Sequence, residues 1–167
     1  MARMSPQNER EFEALAAYVC LFATVVWRVP ESAPHHPVHH MGIVPGQISK
    51  SQRLAGLRQA ANDTVESSED FTPEQVSAFD AICRSKGVIT LTEIRRRYWK
   101  KYKALIKRGR LRDETEYYLA VGLLNDLAAE ISPAEREKLQ SLVSEFERRI
   151  AQSGTHAGGS TPGRSAS

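Results

Sequence analysis

The chain has 167 residues, 41% of them hydrophobic and 26% charged, with 23 Lys and Arg against 20 Asp and Glu. That composition suits one domain with a core and excludes a fibrous repeat or a wholly disordered polymer. Two cysteines exclude a disulfide-stapled scaffold, and a formal charge of +3 does not by itself imply nucleic acid.

The first element in chain order is an apolar helix over about residues 6–28. Ser5-Pro6 opens it, and Ala14 to Trp27 is apolar except for Thr24. Fourteen helical residues reach roughly 21 Å, whereas a bilayer core needs about 30 Å, so no membrane span is expected. Glu9, Glu11 and Glu13 beside Arg3 and Arg10 make a poor secretory leader. With Cys20 and Cys83 on apolar helical segments, the chain reads as cytoplasmic. Residues 1–29 are therefore read as an appended helix. Its Leu15, Val19, Phe22, Val25 and Val26 offer an apolar surface to a partner protein or a second copy.

Residues 30–48 read as a Pro- and His-rich linker. His35, His36, His39 and His40 form HHPVHH, and four imidazoles so close have affinity for zinc, nickel or copper. Pro37 prevents the helix that would align His35 with His39, and Glu31 is the only nearby carboxylate. No metal or cofactor is assigned.

From residue 49 onward one signal recurs. A Ser, Thr or Asp is followed three residues later by Glu or Gln, the arrangement that caps a helix start. Ser49/Gln52, Thr72/Gln75, Thr90/Glu93, Asp113/Glu116 and Ser132/Glu135 fit it, with Pro73 and Pro133 at first helical positions. The helices predicted are 50–66, 73–85, 91–108, 113–130 and 133–151. Gly87 suits a left-handed cap and Gly109 ends the fourth of the six helices. Val88-Ile89-Thr90 is too short to build a sheet. The expected core faces are Ala78, Phe79 and Ile82; Leu91, Ile94, Tyr98, Trp99, Tyr102, Leu105 and Ile106; Tyr117, Ala120, Val121, Leu124, Leu127 and Ala128; and Leu139, Leu142, Val143, Phe146 and Ile150. The fold class is all-α. A small bundle of about four to five helices fills a domain over 49–151, with the N-terminal helix appended and a disordered tail at 152–167.

The most conspicuous chemical feature is a basic run: ten Lys and Arg residues between Arg95 and Arg112. Arg96, Arg97, Lys100, Lys103, Lys107 and Arg108 fall opposite the apolar arc and are the candidate phosphate-binding residues. Arg95 alone lies inside that arc. Against this, residues 113–147 carry nine acidic side chains and two basic ones, Arg136 and Lys138, so mutual compensation is the competing expectation.

The layout FTPEQVSAFDAI then SKGVITLTEI resembles an EF-hand. Aligning Gly87 with the invariant glycine puts Ile82 and Arg84 at ligand positions, which excludes calcium. A helix-turn-helix reader of DNA would place the basic helix second, but its cations run along the whole outer face. The chain contains no phosphate-cradling glycine loop, no G-x-S-x-G, no H-E-x-x-H and no C-x-x-C. The expectation is a noncatalytic interaction or regulatory protein that binds another protein. The alternative is a regulator that binds DNA or RNA through helix 91–112.

Overall fold

A computed structural model describes residues 3–40, 48–127 and 129–155, and these are helical with no strand. The helices are α1 (Pro6–Val25), α2 (Lys50–Ser67), α3 (Pro73–Ser85), α4 (Leu91–Tyr98), α5 (Lys100–Arg108), α6 (Glu114–Asn125) and α7 (Pro133–Thr155). A short 3-10 helix, Pro37–His40, follows α1. Seven α-helices exceed the expected count. The chain divides into two compact units, 1–103 and 104–167, and the division falls within α5.

The caps explain where most helices begin. Ser49 and Thr72 each accept from the backbone N–H three residues on, and Gln52 and Gln75 reach back to complete both boxes. Thr90, Asp113 and Ser132 accept from the N–H groups of Glu93, Glu116 and Glu135. At the end of α3, Gly87 adopts a φ of 65°. Its N–H bonds Arg84 O while Val88 N–H bonds Cys83 O, the paired bonds of a Schellman stop.

The first unit is built on α1. This helix packs on α2, α2 on α4, and α3 on α4. Leu15, Tyr18, Val19, Phe22 and Ala23 are buried, with Phe22 edge-on to Phe79 at 5.4 Å between ring centroids. Tyr18 and Thr64 share a buried hydroxyl bond of 2.9 Å that ties α1 to α2. The expectation of an appended helix with an open apolar face is therefore corrected. Leu15, Val19 and Phe22 lie inside the unit's own core; Val26 is half-buried, and Val25 is exposed. The linker intervenes in sequence, yet α1 packs on α2.

Part of that linker is itself fixed. His36 is buried; its Nδ1 accepts from Val38 N–H at 3.1 Å, and its Nε2 meets Thr24 Oγ1 at 2.9 Å. Thr24 Oγ1 in turn donates to Cys20 O. With Nδ1 accepting, the neutral ring carries its proton on Nε2. Residues 41–47 of the linker lie outside the described residues.

In the second unit α6 packs on α7, and Tyr117 stacks on Phe146 with centroids 5.1 Å apart. Leu119, Ala120, Leu123, Leu139, Leu142 and Phe146 are buried. The predicted helix 113–130 stops early. Asp126 has an extended ψ of 102°, and its N–H makes the last bond, to Gly122 O. Beyond that stop Leu127, expected in the core, is 97% exposed. Ala128 lies outside the described residues. α7 runs four residues into the expected tail, through Thr155; residues 156–167 lie outside the described residues.

Candidate polyanion-binding site

The basic run does not form one helix. It breaks at Trp99, whose ψ of 118° ends α4, while its carbonyl accepts from Tyr102 and Lys103 N–H to start α5. The cations on the two sides meet different fates.

On α4 the arginines are engaged. Arg95 is buried; its Nη2 donates to Ser68 O at the end of α2, and its guanidinium lies 4.7 Å over the Trp99 ring. Burial pulls its pKa below the usual guanidinium range. Arg96 donates to both oxygens of Glu93, at 2.9 and 2.7 Å, and Arg97 Nε reaches Glu93 Oε1 at 2.9 Å. Glu93 itself is buried. A further carboxylate, Asp80, accepts from Thr92 N–H and Thr92 Oγ1 at the first turn of α4. Burial holds its carboxyl above the ordinary aspartate value, against those two bonds.

On α5 the lysines Lys100, Lys103 and Lys107 are exposed. At 100° per residue they fall within an arc of about 60°. None has an ion pair among the described residues. Lys101 differs, pairing with Glu69 and lying 5.4 Å from the Trp99 centroid. At the far end Arg108 Nη2 meets Glu116 Oε2. The first turn of α5 carries no acidic residue, so the positive end of the helix and the lysines reinforce each other.

Of the six candidate phosphate-binding residues, three are thus held by carboxylates and three stand in water. Compensation comes from Glu93, Glu69 and Glu116 rather than from the acidic segments as a whole. Tyr102 and Trp99 are buried and Tyr98 is half-buried with its hydroxyl on Glu11, so none offers an open face for a base. The thiol of Cys83 is pushed up to about 12, chiefly by burial, which makes it a poor nucleophile. Among the described residues no three His, Cys, Asp or Glu side chains are grouped to hold a metal, and no helix is long and apolar enough to cross a membrane.

Sequence reasoning missed Arg149. It lies on α7, two residues past the segment over which the acidic excess was counted, and its Nη2 donates to Leu111 O at 2.6 Å. Extending the count to Arg148 and Arg149 adds two cations to the middle of α7. Compared with protein-family models, curated proteins and solved structures, the chain matches none.

Proposed function

We propose that the protein is a noncatalytic interaction protein that engages an acidic surface of another protein through the lysine row of α5. The observation that carries this reading is the exposure of Lys100, Lys103 and Lys107 on one side of a single helix, without ion pairs among the described residues. Hydrated ammonium groups on flexible stems keep their charge available, and a row of one sign steers encounter with an opposite surface. Burial of Leu15, Val19 and Phe22 moves the expected contact away from α1.

The same row favours a second reading, contact with the phosphates of DNA or RNA. Three free lysines in place of six cations give a log–log salt slope of about −2.7 on duplex DNA. Phosphate contacts of this kind carry no base identity.

The experiment places a photo-reactive residue at the exposed position 104 of α5 and compares the wild-type background with K100Q/K103Q/K107Q. A protein adduct formed in cells and lost in the triple variant supports the first reading. Retardation of duplex DNA at low salt, lost in the same variant, supports the second. Adducts and DNA binding that do not respond to the variant overturn both.

A further inference from the structure

The second unit carries a cleft of about 850 Å³, lined by Arg110, Arg112, Phe146, Arg149, Ile150, Gln152, Ser153 and Thr155. That volume falls within the range of small-molecule sites, about 300–1,000 Å³. Its chemistry is one-sided, with three guanidinium groups in its wall and no carboxylate.

The arginines are brought together by specific bonds. Gly109, with a φ of 69°, lets the chain leave α5 in a left-handed turn. Arg108 Nε then donates to Arg110 O, and Arg112 N–H donates to Glu116 Oε2, which fixes the segment between α5 and α6. Arg149 of α7 grips Leu111 O, between Arg110 and Arg112 in the chain. The Arg110 and Arg112 side chains are exposed with no ion pair among the described residues. The Nε of Arg149 is buried and has no hydrogen-bond partner; Glu145 Oε1 stands 3.9 Å away. Ser153 and Thr155 spend their hydroxyl protons on Arg149 O and Ala151 O, leaving the guanidiniums as the donors for an anion.

We propose that this cleft binds a small phosphomonoester. Arg110 and Arg112 take its phosphoryl oxygens, the Arg149 guanidinium adds positive charge to the wall, and Ile150 receives the apolar part of the ester. A phosphoryl dianion has three terminal oxygens to accept from forked guanidiniums, and two charges for three cations opposed by one neighbouring carboxylate. A carboxylate satisfies fewer of these donors. Ile150 is 53% exposed, which leaves apolar surface to cover. This proposal does not rest on the α5 lysines.

The test is titration calorimetry of the full chain in phosphate-free buffer at fixed ionic strength. The probes are inorganic phosphate, phenyl phosphate and benzoate. Phenyl phosphate is expected to bind saturably with a Kd below about 1 mM, tighter than inorganic phosphate, and benzoate is expected to be weaker by about tenfold or more. R110Q/R112Q touches two side chains without ion pairs and leaves the melting temperature in place, yet weakens phenyl phosphate by about tenfold or more. K100Q/K103Q/K107Q leaves that binding unchanged, so this site and the α5 reading fail separately. Absence of saturable binding, equal binding by R110Q/R112Q, or benzoate matching phenyl phosphate overturns the proposal. So does duplex DNA binding that depends on Arg110 and Arg112 while phenyl phosphate fails to bind.

Discussion

Arg95 to Arg97 lie on one side of the break at Trp99 and Lys100, Lys103 and Lys107 on the other, yet one set is built into the fold and the other faces water. The arginines of α4 meet a helix-end carbonyl, an indole face and a buried carboxylate. Planar forks suit such fixed partners, whereas a lysine ammonium is strongly hydrated and loses more on burial. Equal formal charge therefore says little about function. What separates the α4 arginines from Lys100, Lys103 and Lys107 is whether a carboxylate or carbonyl lies within reach.

The sharpest way to break this comparison is Arg95→Ala. It uncovers Ser68 O and removes the cation over Trp99, with an expected loss of about 2–4 kcal/mol in urea denaturation. A loss under about 0.5 kcal/mol would place Arg95 with the solvent-facing cations instead.

A middle-sized effect comes from the acids at the two ends of α4, Asp80 beside Thr92 and Glu11 beneath Tyr98. Burial raises the folded pKa of Asp80, so the fold favours its protonated form. Its contribution to stability therefore grows as pH falls through that raised value toward the unfolded one, near 3.8. Glu11 has the opposite sign. Hydrogen bonds from Arg58 at 2.8 and 2.7 Å hold its pKa below 4.5, so its contribution is present above that value and is lost as pH falls through the lowered one. Denaturation curves from about pH 7 to about pH 3 are expected to show Asp80→Asn removing the acid-side gain and Glu11→Gln removing the acid-side loss.

The smallest stability effect belongs to α5. K100Q/K103Q/K107Q is expected to change unfolding free energy by less than about 0.5 kcal/mol while abolishing binding through the row. A larger loss means that these lysines have structural partners.

Much of this was legible because helix starts are local chemistry. Ser49, Thr72, Thr90, Asp113 and Ser132 each accept from the backbone N–H that their spacing implies. Arg95 also stood out, as a cation within an apolar arc, and it is buried. The break at Trp99 was not legible, since residues 96–103 contain neither Gly nor Pro and keep helical periodicity across it. The partner of Arg95 beside that break, Ser68, is equally hidden, lying 27 residues away. The placement of α1 was lost for a similar reason, because Pro-rich composition suggests a spacer but does not record the His36–Thr24 contact that folds part of it back. The arginine cleft was missed because its members come from two places in the chain, joined by Arg149 on Leu111 O.

The division of the chain has a spectroscopic consequence. Both tryptophans, Trp27 and Trp99, belong to the first unit; Trp27 is 41% exposed against Phe22, and Trp99 is buried beneath the Arg95 guanidinium. Indole emission therefore arises from residues 1–103, whereas far-ultraviolet circular dichroism sums helices of both units. Superimposed melting curves from the two signals identify a single cooperative transition, and a dichroism change without an emission change isolates the unfolding of residues 104–167. The wild-type chain thus carries its own label for one half, and no fluorophore has to be introduced to tell the halves apart.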